Sequence, residues 1–167
     1  MAVDMFLLLD KISGETQDDK YSKGADGYPQ GIDVLAWSWG MTNPAMGHTG
    51  GGSGTGKVNV QDISVTKYVD ASSPTIALKC ATGEHIDKAR LIVRKAGGTA
   101  VEYLVYDLEQ VFVTGMTTGG SGGEDRLTEN VSLNFAKITF KYTSQKKDGT
   151  KDKEIPVTYD VAKNVKV

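Results

Sequence analysis

Residues 131–142 read VSLNFAKITFKY, and this stretch decides the fold. Its apolar residues first occupy odd-numbered positions and then even-numbered ones, a change of parity: Val131, Leu133 and Phe135 are followed by Ala136, Ile138, Phe140 and Tyr142. A period of two is typical of a β-strand with one buried face. A change of parity within a strand indicates a bulge or a corner between two sheets. We therefore expect this strand to belong to two sheets.

The neighbouring segments carry the same signals. Val58 and Val60 set one parity in residues 57–70, and then Ile63, Val65 and Val69 set the other. Further strand patterns cover residues 5–9, 32–41, 89–95, 100–116 and 155–161. Residues 5–9 are continuously apolar, which favours a strand buried on both faces. Pro156 lacks a donor for a sheet ladder, so the last strand is expected at an edge.

Residues 32–41, IDVLAWSWGM, alternate by size. A regular strand would place the bulky side chains on one face and the small ones on the other: Leu35, Trp37, Trp39 and Met41 against Val34, Ala36, Ser38 and Gly40. The two tryptophans fit two interpretations, core filling or a platform that stacks a sugar or a base.

One short helix is predicted at about 73–83. Ser73 is a candidate N-cap, Pro74 suits the first turn, and Gly83 suits the C-terminal cap. Residues 10–31 are polar and rich in glycine, and they are predicted to form a loop. The length of 167 residues is typical of a single domain, so residues 1–167 are interpreted as one unit. The predicted fold is mainly β: a two-sheet β-barrel with one short α-helix and a long extended loop.

Composition excludes several functions. The chain has 19 Lys and Arg against 21 Asp and Glu, which argues against a strong nucleic-acid surface. Cys80 is the one cysteine, so an internal disulfide framework is excluded. No apolar run is long enough for a transmembrane helix. The first residues lack the basic region of a secretory signal, so if the protein leaves the cell, another route is expected.

The long loop, residues 42–56, contains a partial nucleotide-binding motif. GGSGTGKV at 51–58 matches a P-loop except at Val58, where a hydroxyl should hold Mg²⁺. A P-loop also opens a helix, whereas a strand pattern follows here. Nucleotide binding is therefore disfavoured.

Three other groups of residues have both a structural and a chemical interpretation. Cys80 and His85 resemble a nucleophile and its base, but Cys80 lies on the apolar stripe of the helix. His48 lacks partners at metal-ligand spacing. Residues 124–126, Glu-Asp-Arg, could ligate calcium or form a solvated turn with a local ion pair. We predict no catalytic, cofactor or metal residue.

Long blocks of the chain resemble the haemolysin-coregulated protein (Hcp) family. They are IDVLAWSWGM at 32–41, GKVNVQDISVTKYVDASSP at 56–74, ARLIVRKAGG at 89–98 and TGGSGGEDRLTENVSLNF at 118–135. This resemblance implies a non-enzymatic tube subunit of the bacterial type VI secretion system. Six copies would form a ring, and rings would stack inside a contractile sheath. The tube would leave the cytoplasm with its spike, without a signal peptide, and the lumen of the ring would hold small effector proteins.

The resemblance also assigns roles to two loops. The first would contact neighbouring copies and stacked rings; its residues are Thr42, Asn43, Pro44, Ala45, Met46, Gly47, His48, Thr49, Gly50, Gly51, Gly52, Ser53, Gly54, Thr55 and Gly56. The second glycine loop comprises Gly119, Gly120, Ser121, Gly122 and Gly123. Two alternatives from other classes are a glycine-loop nucleotide-binding enzyme and a monomeric carbohydrate-binding β-sandwich that uses the tryptophans.

Overall fold

A computed structural model of the protein describes residues 2–44, 57–95 and 100–167. Within these ranges it has ten strands and one helix, in the following order: β1 Val3–Leu9, β2 Ile32–Ser38, β3 Met41–Thr42, β4 Asn59–Val60, β5 Ile63–Tyr68, α1 Ser73–Thr82, β6 Ile86–Lys95, β7 Glu102–Thr118, β8 Thr128–Gln145, β9 Lys151–Asp160 and β10 Val165–Lys166. None of the helical residues in these ranges forms a segment long and apolar enough to cross a membrane.

Six strands close an antiparallel barrel. Their order is β1, β2, β5, β8, β7 and β6, and the pairing of β6 with β1 closes the barrel. Strands β9 and β10 continue the sheet beyond β8, and β3 pairs with β4 in a separate ladder. The predicted mainly β barrel with a single short helix is confirmed.

Two long strands, β7 and β8, run through both halves of the barrel. β8 buries Phe135 and then Ile138, and β7 buries Leu108 and then Val111, so both change parity at the same level. Gln110 lies at this corner with a φ of 49°. The change of parity predicted within residues 131–142 is confirmed, and hydrogen bonding joins the two halves of the barrel into one continuous sheet. The other predicted change of parity falls at residues 61–62, which separate strand β4 from strand β5.

Strand β2 corrects one expectation. Its register against β5 shifts between Val34 and Ala36, which indicates a β-bulge. The bulge places Val34 and Trp37 on the same inner side and leaves Leu35 exposed. The prediction that Leu35 and the tryptophans share a face is therefore wrong, because an extra residue reverses the alternation.

Residues 10–31 form a loop, as predicted, and we call this loop the strap. They cover the outer face of β1, where Tyr21 and Tyr28 form a second small core with Phe6, Leu8 and Ile92. This cover explains why β1 is buried on both faces, as its continuous apolar run predicted. Arg94 fastens the strap because its guanidinium lies 5.0 Å from the Phe6 ring and pairs with Asp18.

Helix α1 packs against β7 and buries Ile76 in the main core. It ends at Gly83, whose φ of 70° is the left-handed conformation predicted for this cap. Its N-cap is Ser72, and the expectation that Ser73 takes this position is wrong. The Ser73 hydroxyl is instead held in a buried polar cluster, where it donates to Glu129 Oε1 at 2.5 Å and accepts from the Asp70 N–H at 3.0 Å.

The buried polar cluster centres on Lys67. Its side chain is fully buried and pairs with Glu129, which is its direct cross-strand partner. The Lys67 Nζ also lies 3.1 Å from Asp70 Oδ1 and donates to the Tyr68 carbonyl at 2.9 Å. The cluster ties β5, β8 and the start of α1 together, and a buried ion pair of this kind is stable only when its members stay hydrogen-bonded.

Candidate functional site: a neutral sheet face between two free edges

The outer face of one half of the barrel carries short neutral side chains. It is formed by β2, β5, the first half of β8 and the second half of β7. Cross-strand register arranges these residues in two rows: Ala36, Thr66, Asn130 and Thr117 in one, and Ser38, Ser64, Ser132 and Gly115 in the other. None of the eight is ionisable. We call this set the neutral face.

Hydrogen bonds hold this face in place. The Thr66 hydroxyl donates to Asn130 Oδ1 at 2.6 Å. At one margin Asp62 accepts from Thr114 Oγ1 at 2.6 Å and from Asn134 Nδ2 at 2.9 Å. Each oxygen of this marginal carboxylate thus accepts from a neutral donor, and the eight residues of the neutral face itself present dipoles rather than charges.

The outer face of the other half of the barrel carries charged side chains that form ion pairs. Arg90 pairs with Asp107 at 2.5 Å and with Asp26 at 2.8 Å, and Lys141 also reaches Asp107 at 3.0 Å. Burial alone would lower the pKa of Arg90, but the hydrogen bond and the charge of Asp107 raise that pKa above its usual value. The two outer walls of the barrel thus differ: one is ionic and the other is neutral.

The neutral face lies between two sheet edges. β2 pairs with β1 only at Ile32 and Asp33, so residues 34–38 have no ladder on that side. β7 pairs with β6 only as far as Val111, so residues 112–118 have none beyond β8. Both edges are unpaired within residues 2–44, 57–95 and 100–167. Unpaired backbone donors and acceptors of this kind favour pairing with another chain. The two edges run in opposite directions, as an antiparallel pairing requires.

The base of the first glycine loop lies at one end of this face. This base is the β3–β4 ladder, which pairs Met41 with Val60 and Thr42 with Asn59. Trp39 supports the base because its Nε1 donates to the Gln61 carbonyl at 3.0 Å. Residues 45–56 of the predicted assembly loop, including His48, lie outside the described residues. The role of this loop in assembly stays a prediction.

The second glycine loop lies at the opposite end of the neutral face. Residues 119–123 are exposed and connect β7 to β8. A side chain at Gly120 would come within 2.3 Å of Leu127 Cδ2, so glycine allows that leucine to pack closely. Residues 124–126 are exposed, in agreement with the solvated turn, but no ion pair joins them in the described part of the chain, and Arg126 instead lies 3.7 Å above the Tyr68 ring.

The other candidate residues have structural environments. Trp37 and Trp39 pack against Tyr106, with ring centroids at 5.1 and 5.7 Å, which agrees with core filling. Cys80 also packs against the core, and His85 hydrogen-bonds to Asp87 at 3.0 Å. Lys57 is followed by strand β4, not by the helix that a P-loop opens. Among the residues described, no three His, Cys, Asp or Glu side chains are grouped to hold a metal ion.

Sequence reasoning missed the neutral face, although a signal was present. Asn130, Ser132 and Asn134 alternate with buried Val131 and Leu133. Polar residues at every second position predict a solvated face, but their lack of charge becomes informative only when four strands are placed side by side. That placement depends on pairings between residues about 60 positions apart, such as Thr66 with Asn130.

Comparisons with known proteins agree with this architecture. Residues 6–142 match the family model described as "Type VI secretion system effector, Hcp". The chain is 50% identical over 153 residues to Protein hcp1 of Pseudomonas aeruginosa, covering 91% of this chain and 90% of that protein. A solved structure described as a type six secretion system protein has a TM-score of 0.89 at 28% identity, covering 99% of this chain and 100% of that chain. Hcp1 from Salmonella typhimurium has a TM-score of 0.77 at 33% identity, with both chains covered completely.

Proposed function

Because the chain belongs to the Hcp family of type VI secretion system proteins, we propose that it is a tube subunit whose copies close into six-membered rings. Rings stack into a tube that the type VI sheath expels together with its spike. The protein therefore starts in the cytoplasm and leaves the cell with the tube, without a signal peptide. Its role is structural and not enzymatic.

The observation that carries this proposal is the pair of free edges on opposite sides of one sheet face. Edge 34–38 of one copy and edge 112–118 of the next differ, so their contact is heterologous. A heterologous contact closes into a ring when its rotation divides a full circle. The antiparallel direction of the two edges lets neighbouring copies keep the same orientation, as a ring requires.

The neutral face would then line the lumen. In such a ring the sheet between the two edges forms a continuous inner wall, which Ser64, Thr66, Asn130 and Ser132 would cover. Hydroxyl and amide groups bind water and make weak, exchangeable hydrogen bonds. A wall of this chemistry accommodates a small effector protein without the strong ion pairs that would hold it there.

The two glycine loops would mediate stacking. The base of the first loop and the whole of the second lie at opposite ends of the neutral face, so one loop of each copy would serve the ring above and the other the ring below. Ordering a glycine-rich loop costs about 1–2 kcal/mol per residue, so each contact is weak alone. Six contacts around a ring act together, which makes the stack stable while rings are intact.

Native mass spectrometry and electron microscopy test the proposal. We expect a species of six times 17.9 kDa and ring-shaped particles. A protein that remains a 17.9-kDa monomer at micromolar concentration contradicts it. For the lumen, Ser132→Lys should keep the ring but change the retention of an effector protein, whereas Lys163→Ser, on an exposed turn, should change neither.

A further inference from the structure

The strap is attached to the barrel mainly by side chains. Its backbone hydrogen bonds to the strands lie at its first residues, where the Asp10 N–H donates to the Lys88 carbonyl at 3.1 Å and the Ile12 N–H donates to the Leu9 carbonyl at 3.3 Å. Further along the strap, backbone hydrogen bonds join strap residues to one another. The position of most of the strap over β1 and β6 therefore depends on its side chains.

Each side-chain hydrogen bond between the strap and the described strands ends on a carboxylate. These bonds join Arg94 to Asp18, Arg90 to Asp26, and both Lys20 and Tyr21 to Glu102. Hydrogen bonds to an ionised carboxylate are stronger than bonds between neutral groups. Protonation of these carboxylates would therefore weaken all of the bonds together.

Arg94 depends most on its carboxylates. The residue is 9% exposed, and its guanidinium lies 5.0 Å from the Phe6 ring and 5.9 Å from the Tyr21 ring. Its Nε is buried and has no hydrogen-bond partner among the described residues. Asp18 and Asp4, the latter at 3.1 Å, supply the negative charge beside it. A buried cation that loses its carboxylates is destabilising, beyond the loss of the hydrogen bonds themselves.

The strap covers a small core that is separate from the main core. Tyr21 and Tyr28 pack there on Phe6, Leu8 and Ile92. The ladders that join β1 to β2 and to β6 run between strand residues and do not include the strap. Segments with their own contacts can open while the rest of a protein stays folded. The strap can therefore leave β1 without opening the barrel.

We propose that the strap is an acid-operated latch. When Asp4 and Asp18 are protonated, Arg94 becomes an unpaired cation among aromatic rings, and the closed position of the strap loses its stability. The strap then leaves the outer face of β1 and uncovers its apolar side chains, while the barrel stays closed. This device goes beyond the proposed tube function and does not depend on ring formation.

The electrostatic environment agrees with opening in acid. The hydrogen bond from Arg94 lowers the pKa of Asp18. Burial alone would raise the pKa of Glu102, but hydrogen bonds from Lys20 and Tyr21 hold it below its usual value. Carboxyls with lowered pKa values stabilise the closed strap at neutral pH, and this stabilisation is lost as the pH falls through those values. The charged or titratable groups around the latch are Asp10, Lys20, Tyr21 and Tyr28 of the strap, Asp4 of β1, Lys88, Arg90 and Arg94 of β6, Asp107 of β7 and Lys141 of β8.

Substitutions compared at pH 7 test the mechanism. Asp4→Asn/Asp18→Asn imitates the protonated carboxyls, so the amides of residues 10–31 should exchange with deuterium at about ten times the wild-type rate or faster. Exchange in β7 and β8 should stay unchanged. Adding Arg94→Met should restore slow exchange in the strap, because the unpaired cation is gone. If Arg94 served only as a hydrogen-bond donor, its removal would loosen the strap further.

A matched control removes the same number of charges elsewhere. Glu124→Gln/Asp125→Asn neutralises two exposed carboxylates in the connection between β7 and β8, and it should leave exchange in the strap unchanged. Acid itself is tested with Nile red, a neutral dye that fluoresces on apolar surfaces. The wild type should bind the dye as the pH falls from 7 to 3, before far-UV circular dichroism shows loss of the barrel. The variant that combines Asp4→Asn, Asp18→Asn and Arg94→Met should show a smaller change.

Several results would overturn the latch. They are unchanged strap exchange in Asp4→Asn/Asp18→Asn, equal acceleration along the whole chain, failure of Arg94→Met to restore slow exchange, and dye binding only when the barrel unfolds. If Asp4→Asn/Asp18→Asn does not fold, Asp18→Asn alone should accelerate strap exchange to a smaller degree, and Arg94→Met should again reverse the effect.

Discussion

Lys67 and Glu129 face each other across β5 and β8 with both side chains buried, and the Lys67 ammonium pairs with the Glu129 carboxylate. Each residue has the parity of the apolar residues around it: Lys67 follows Ile63 and Val65, and Glu129 precedes Val131 and Leu133. The pair is thus part of the barrel interior, where a charge without a partner is costly.

Removing one member of this pair should destabilise the barrel strongly. Lys67→Met leaves Glu129 and Asp70 buried without their cation, and the free energy of unfolding should fall by about 3–5 kcal/mol. The double variant Lys67→Met/Glu129→Leu should lose less than Lys67→Met alone, because the orphaned carboxylate is gone. Urea denaturation measures both. Equal losses in the two variants would show that the ion pair itself stabilises the fold.

Trp37 should be a structural residue. It contacts Tyr106 and packs on the main core, so Trp37→Ala should lower the free energy of unfolding by about 3 kcal/mol, the lower end for a large aromatic because Trp37 is only partly buried. Leu78→Ala on the exposed face of α1 serves as the control, with a change below about 0.5 kcal/mol. An unchanged stability of Trp37→Ala would favour the carbohydrate-binding alternative.

The strap should loosen in acid. The Arg94 guanidinium hydrogen-bonds to Asp18 and lowers the pKa of that carboxyl below its usual value. A carboxyl with a lowered pKa in the folded state stabilises the fold above its unfolded pKa of about 3.9, and this stabilisation is lost as the pH falls through the folded pKa. Asp18→Asn should therefore reduce stability at pH 7 and flatten its decline below pH 4. Thermal melts across pH 2–7 measure this difference, and parallel curves for the two proteins would contradict it.

Nucleotides should not bind. Lys57 precedes strand β4, so the helix N-terminus that would face phosphates is missing from this position. Calorimetric titration of ATP with Mg²⁺ should give no saturable heat. Micromolar binding that Lys57→Ala abolishes would restore the nucleotide-binding alternative.

Deletion of residues 47–54 should affect assembly and leave the barrel folded. The cut falls between β3 and β4, and their ladder at Met41 and Val60 can still close a shorter loop, since closure entropy changes slowly with length. Circular dichroism should match the wild type, whereas tube formation and export by the type VI machinery should fall sharply. A Gly-Ser segment of equal length distinguishes the effect of sequence from that of length. Wild-type export of the deletion variant would exclude this loop from stacking.

The sequence predicted what depends on local alternation. The change of parity at Phe135 and Ala136 is predictable because a strand has a fixed period of two. The helix cap at Gly83 is predictable because few residues other than glycine adopt a positive φ. The bulge at Leu35 was not readable, since the same ten residues fit a regular strand equally well. The burial of Tyr21 and Tyr28 was also missed, because it depends on the strap folding over β1, a contact between distant residues.

The neutral face has no ionisable groups, so its contacts can be distinguished from contacts between charged groups by varying the ionic strength. Salt screens exposed charges over a Debye length of about 8 Å at physiological concentration and about 3 Å at 1 M, but it hardly affects short-range bonds between dipoles. Whatever lies against Ser64, Thr66 and Asn130 should therefore remain there when salt is raised. Contacts that involve the lysines of residues 141–153 should weaken over the same range. The two walls of one small barrel would thus respond differently to the change of medium between the inside and the outside of a cell.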